Sequence, residues 1–155
     1  VYVWSHPILL LQLVMVAIVL LLLGQVIGLS VKYYFTFKKL DALFPNNEWE
    51  RKDFKEKADY VDEKFEAMIV DEVLIFYGSH FTVIPLKELK EIHLYLTSTG
   101  RRVYYGIKFM FKTRRRSFVP NTYGKTLEDK YRLVRKVAYF VPVKIRDDWK
   151  NSNRK

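Results

Sequence analysis

The chain contains no cysteine, which excludes a disulfide framework and a thiolate metal site and weighs against a small secreted domain. Histidine is scarce: His6, His80 and His93 fall at the flank of an apolar run, in a turn and on a strand. None stands in a recognisable nucleophile motif. Six glycines and five prolines in 155 residues supply no phosphate-cradling glycine loop, and no metal-spaced cluster or paired-carboxylate motif appears. No internal repeat or low-complexity tract is visible. No metal, cofactor or small-molecule substrate is expected.

Charge is missing from one long stretch. Ile8 to Leu29 reads ILLLQLVMVAIVLLLLGQVIGL without an acidic or basic residue, a length of about 33 Å as a helix against a hydrocarbon core of about 30 Å. The core of a signal peptide is shorter and follows a basic leader, so residues 8–29 are expected to be a retained single-pass transmembrane helix. Trp4, Ser5, His6 and Pro7 precede it with no Lys or Arg. Lys32, Lys38 and Lys39 follow it, interleaved with Tyr33, Tyr34, Phe35 and Phe37. Aromatic and basic residues at the exit are interface anchors, and basic excess marks the cytoplasmic side. The expected topology has the N-terminus outside and the C-terminal domain in the cytosol or an organelle matrix. Within the span, Gly24 and Gly28 form a G-x-x-x-G, with Ala17 one heptad earlier and Gln25 able to hydrogen-bond across a helix pair. These four residues are candidates for a helix–helix contact in the membrane, with a partner or a second copy.

The remaining charge is lopsided. The formal net charge is +10, yet residues 101–155 alone carry 17 Lys/Arg against 4 Asp/Glu. Membrane lipid, an acidic protein or nucleic acid are the usual partners of such a half. A tether favours the first two, and no nucleic-acid readout motif is present.

One compact domain, roughly 90 residues, fits after the span. Residues 1–45 are read as the transmembrane and juxtamembrane part, closed by Pro45 and Asn46-Asn47. Asn47 with Glu50 resembles a capping box that opens a charged linker helix over 46–66. Phe54, Ala58, Val61, Phe65 and Met68 recur along it as a narrow apolar seam, suited to packing on its own domain or to pairing. From 67 to 142 the pattern predicts strands and a closing helix. Ala67–Val70, Val73–Tyr77 and Phe81–Ile84 are β-rich, with Gly78-Ser79-His80 as a turn. Pro85 ends or edges the last of them. Ile92, Leu94 and Leu96 alternate with polar neighbours, Thr99-Gly100 signals a hairpin, and Val103, Tyr105, Ile107, Phe109 and Phe111 share one face of the return strand. Residues 117–119 suggest a short extra strand. Thr126 with Asp129 caps a helix whose apolar stripe is Leu127, Tyr131, Val134 and Ala138, flanked by Leu133 and Val137, and which ends before Pro142. The tail, 143–155, is expected to be polar, and frayed from Arg146 to Lys155 apart from Trp149.

This order resembles a known family. Phe81-Thr82-Val83-Ile84-Pro85-Leu86, running into an acidic-basic turn and Ile92-His93-Leu94, is similar to the PH-like domains attached to transmembrane helices in uncharacterised bacterial membrane-anchored proteins. The likeness covers about residues 67–142. It implies an α+β fold with a small antiparallel, partly open barrel capped by a C-terminal amphipathic helix. It also implies a scaffold for lipid headgroups or proteins, and brings no catalytic residues.

Arg101, Arg102, Lys112, Arg114, Arg115 and Arg116 form the candidate basic patch. Near a bilayer such a patch gains about 1 kcal/mol per charge from anionic lipid, whereas on an edge strand cations also deter unwanted pairing. Glu91, His93 and Tyr95 share a strand face, so a lipid- or metal-dependent enzyme fragment is the competing reading, although a polar solvent face explains them without extra assumption. The principal expectation is a non-enzymatic membrane-anchored interaction module. An accessory structural subunit of an energy-transducing or transport complex is the alternative.

Overall fold

A computed structural model describes residues 6–46, 48–51, 53–78, 81–113 and 115–150. The expected cap at Asn47, the turn residues Ser79 and His80, Arg114, the flanking Trp4 and Ser5, and the last five residues lie outside that set. The chain divides into two compact units, Val1–Pro45 and Asn46–Lys155.

The first unit is a single helix, α1 (Pro7–Leu43), which ends where Phe44 leaves helical geometry. Pro7 sits in its first turn, where the missing N–H costs nothing. At 37 residues the helix is about 55 Å long. It therefore runs about four turns past the expected span and carries Lys32, Lys38 and Lys39 on the same rod. Its apolar stretch is long enough to cross a membrane, and no residue of that stretch is buried. The two hydroxyls at its polar end are spent internally: Ser30 Oγ donates to the Val26 carbonyl at 2.8 Å and Thr36 Oγ1 to that of Lys32 at 3.0 Å. A helix satisfies its own backbone in this way, which is what hydrocarbon demands of a spanning segment.

The second unit is α+β. Strands β1 (Tyr60–Asp62), β2 (Ala67–Val70), β3 (Val73–Phe76) and β4 (Thr82–Pro85) form an antiparallel meander in that order. A second sheet has the order β6-β5-β7, from β5 (Leu89–Thr99), β6 (Arg102–Phe111) and β7 (Lys144–Asp147). Between β6 and β7 lies helix α2 (Leu127–Phe140). β5 and β6 are antiparallel, while β7 pairs with β5 in parallel. Among the described residues the two sheets are not hydrogen-bonded into a closed barrel.

The linker helix expected over 46–66 is not formed by the described residues. Glu48–Glu50 and Lys55–Lys57 are single 3-10 turns, and Tyr60–Asp62 is strand. The seam residues keep their apolar role in other ways. Phe54, Phe65 and Met68 are buried, Ala58 and Val61 half-buried, and Val61 faces Met68 across the β1–β2 pair. Asp62 decides the matter locally. Its Oδ1 accepts from the Phe65 backbone N–H at 3.0 Å and its Oδ2 from the Tyr60 hydroxyl at 3.1 Å, a side-chain-to-backbone turn that competes with helix. The Tyr60 phenol is pushed up to about 12, by burial first and the Asp62 charge second.

Two turns show how the strands are joined. Asp71 and Glu72 both have positive φ, 46° and 60°, between the paired residues Val70 and Val73. That is the two-residue hairpin geometry whose twist matches the strands, here built without glycine. Gly100 (φ 63°) and Arg101 join β5 to β6, with Thr99 opposite Arg102. Pro85 lies on β4, an edge strand, as its missing N–H requires.

The core lies among both sheets and α2. Ile92 and Leu94 of β5, Ile107 and Phe109 of β6, and Leu133, Val134 and Val137 of α2 are buried in one cluster with Ile69, Leu74 and Ile84 of the first sheet. Phe76 of β3 packs on Phe109 at 6.1 Å and on Phe118 at 5.2 Å. Phe118 itself makes a two-way backbone bridge to Phe109 at 2.8 and 3.0 Å, a single bridged residue where a short strand was expected. The cap of α2 is the predicted one: Thr126 Oγ1 accepts from Asp129 N–H, and the Asp129 carboxylate accepts from Thr126 N–H. The helix ends at Phe140, two residues before Pro142.

Fraying is corrected at Arg146 and Asp147, which belong to strand β7 (Lys144–Asp147). Trp149, excepted from that expectation, is 1% exposed. Its indole N–H donates to the Tyr95 carbonyl at 2.9 Å, and its rings meet Tyr131 and Tyr105 edge-on at 5.0 and 5.8 Å.

Candidate anion-binding surfaces

The five described residues of the expected basic patch do not form one cluster. Arg101 and Arg102 stand at the exposed tip of the β5–β6 hairpin, while Lys112, Arg115 and Arg116 follow the other end of β6. A ten-residue strand separates them by about 30 Å, more than the ~8 Å over which exposed charges feel one another in physiological salt. Arg114 is outside the described residues. Around the base of β6 the cluster gains Lys90, which sequence spacing had not joined to it. A register shift between Leu89 and Glu91 leaves Lys90 unpaired in the β5–β6 ladder. Lys90, Lys112, Arg115 and Arg116 rim an open hollow with Met110 and Thr113. The hairpin tip has its own character, with Val103 and Tyr104 exposed beside Arg101 and Arg102.

A second hollow was not anticipated. It is lined by Tyr104 and Tyr105 of β6, Thr122, Tyr123 and Lys125 of the loop before α2, and Lys130 of α2. Lys130 is not among the stripe residues read from the sequence. The stripe is instead centred on Leu133, Val134 and Val137, with Leu127 exposed, and this rotation carries Lys130 inward.

On the face with Glu91, His93 and Tyr95, the last two make contacts within the domain. His93 Nε2 lies 2.6 Å from Asp148 Oδ2, an arrangement in which the imidazole donates to the carboxylate. Tyr95 lies across Gly106, its directly paired neighbour, in space that any Cβ there would occupy. The Lys108 ammonium sits 5.2 Å above the Tyr95 ring. Among the described residues no three His, Cys, Asp or Glu side chains are grouped to hold a metal ion.

The His93 contact holds the Asp148 carboxyl below the usual carboxylate range, and Arg146 assists. A depressed folded-state value means the contribution is complete above the ordinary value of 3.8 and is lost as pH falls through the folded value. Because Asp148 N–H also donates to the Leu94 carbonyl, strand β7 is expected to loosen from β5 in acid. Hydrogen exchange at residues 144–147 should accelerate in that window, and Asp148→Asn should remove the acid step.

On α1, Gly24 and Gly28 have open space where a side chain would stand. They lie one turn apart, and Ala17 is seven residues before Gly24, so the three share a face; Gln25 is the next residue round. Tyr33 and Phe37 pair at 6.5 Å beyond the apolar stretch. Comparison with protein-family models, with curated proteins and with solved structures finds no significant match to this chain.

Proposed function

We propose that α1 is a single-pass membrane anchor and that Asn46–Lys155 is a non-enzymatic interaction module held at the cytoplasmic or matrix face. The observation that carries this reading is the uncharged run from Ile8 to Leu29, apolar on every side of an unburied helix. A core helix would hide its apolar face against its domain. The cations and aromatics on the exit side of α1 favour an outside N-terminus. The likeness to PH-like domains adds a scaffold reading: a four-stranded and a three-stranded sheet with a helix beside them suit a surface that binds rather than a pocket that reacts. The two separate basic clusters supply contacts to anionic lipid or acidic protein, and the notch at Ala17, Gly24 and Gly28 supplies close approach for a second membrane helix.

Protease protection tests the orientation. In sealed inside-out vesicles trypsin is expected to digest the Lys/Arg-rich domain, whereas right-side-out vesicles should protect it. The reverse pattern would overturn the topology. Purification in mild detergent separates the module from an accessory subunit: a subunit recovers stoichiometric partners at every step, and a module is obtained alone.

A further inference from the structure

We propose that the hollow bounded by Tyr104, Tyr105, Thr122, Tyr123, Lys125 and Lys130 is a binding site for a phosphate-bearing ligand.

Lys130 carries the argument. It is only 8% exposed, it lines the hollow, and its ammonium has no carboxylate or hydrogen-bond acceptor as a partner among the described residues. Its one described contact is the face of Tyr105, 5.9 Å away, which offsets part of the desolvation cost. Other basic residues of the domain do not behave this way. Lys55 pairs with Glu63 at 2.9 Å and Lys57 lies 3.8 Å from Asp53, all at the surface. On α2 itself Arg132 pairs with Asp129, and Arg135 and Lys136, over the Tyr131 and Tyr60 rings, are exposed residues. The Lys130 stem is buried while its ammonium opens on the hollow, a cation partly stripped of water and without a fixed counter-ion. Burial pulls the Lys130 amine below its ordinary value, the response of a cation that lacks its counter-ion.

The surroundings state the chemistry of what is missing. No acidic side chain lines the hollow, so an anion meets no repulsion at its wall. Lys125 lines the hollow as well, although its ammonium lies 5.9 Å over the Phe65 ring, and Thr122, Tyr104 and Tyr123 bring hydroxyl donors around the same space. A lone carboxylate would use the Lys130 cation and leave the hydroxyls idle, whereas the several oxygens of a phosphate can engage the ammonium and hydroxyls together. The tyrosine faces suit a ligand with an apolar or ring-bearing remainder. The phosphate could belong to a phospholipid headgroup or to a soluble phosphate ester. The site does not depend on the membrane reading, because it is made wholly by residues 104–130.

The test uses the full chain in maltoside micelles, titrated with inorganic phosphate against chloride at constant ionic strength. Acylation of Lys130 is followed by mass spectrometry alongside the unfolding midpoint. Phosphate is expected to protect Lys130 saturably and to raise the midpoint. Lys130→Met, which fills the same volume without the charge, is expected to fold with an undiminished midpoint and to weaken the phosphate response about tenfold or more. The wild-type footprint needs no variant, so a misfolded Lys130→Met leaves the test intact. Nanodiscs resolve the source: protection of Lys130 with phosphatidylglycerol but not phosphatidylcholine assigns a lipid headgroup, and protection by soluble phosphate alone assigns a soluble ester. If neither inorganic phosphate nor phosphatidylglycerol protects Lys130, the proposal fails. Equal phosphate responses in wild type and Lys130→Met would also overturn it.

Discussion

Trp149→Ala should destabilise the 46–155 domain by about 3–5 kcal/mol, the range for removing a buried large aromatic side chain. The indole is almost wholly enclosed, stacks edge-on against one tyrosine of β6 and one of α2, and ties its N–H to the β5 backbone. It thus links three elements, β5, β6 and α2. Asp147 Oδ1 accepts the Trp149 backbone N–H at 3.0 Å, so the residue is also locked by its own turn. For a domain of this size the loss corresponds to a fall in unfolding midpoint of about 10 °C or more. Trp149→Phe should recover most of it, keeping the ring contacts and giving up the hydrogen bond, at about 1 kcal/mol. Thermal unfolding by circular dichroism of both variants separates packing from hydrogen bonding. A midpoint unchanged in Trp149→Ala would mean that the C-terminal segment is not part of the core.

Placing two charges mid-helix should have the larger consequence. Val16→Arg together with Leu20→Arg puts two guanidiniums one turn apart near the centre of the uncharged run. At the middle of a bilayer each arginine costs about 2.5–3.5 kcal/mol, and each lost aliphatic residue about 0.5 more. The sum, about 6–8 kcal/mol, is enough to remove the chain from the membrane fraction. Leu20→Phe, equally apolar, should leave the distribution as it is. The fraction of chain floating with lipid in a density gradient is the readout. Retention of the double-arginine variant would show that α1 does not depend on hydrocarbon.

The elements legible in the sequence were those with local, repeated signals. The β5–β6 hairpin announced itself through alternation and Thr99-Gly100, and α2 through Thr126, Asp129 and the stop at Pro142. In these, side-chain period and backbone demand agree. The misread elements depend on partners far along the chain. β7 has one apolar residue in four, Ile145, and exists because β5 offers it a parallel edge more than fifty residues away. β1 is three residues long, too short for period two to be told from a helical seam. Spacings of three and four through Phe54, Ala58, Val61, Phe65 and Met68 therefore read as helix, although Val61 and Met68 face each other across two strands. The basic patch failed for a geometric reason: residues ten apart are neighbours along a helix surface only over three turns, and in a strand they stand at opposite ends. Lys130 was missed because a helix stripe drawn from residue types errs in rotation by a residue or so, and one residue is 100°.

Alkaline carbonate washing of membranes that carry the full chain is the most direct measurement. Proteins held by charge or by other proteins are stripped, and those embedded in hydrocarbon sediment with the lipid. The chain is expected in the pellet, wholly and without detergent. Its appearance in the supernatant would contradict a membrane-spanning α1, whatever the fold of the domain behind it.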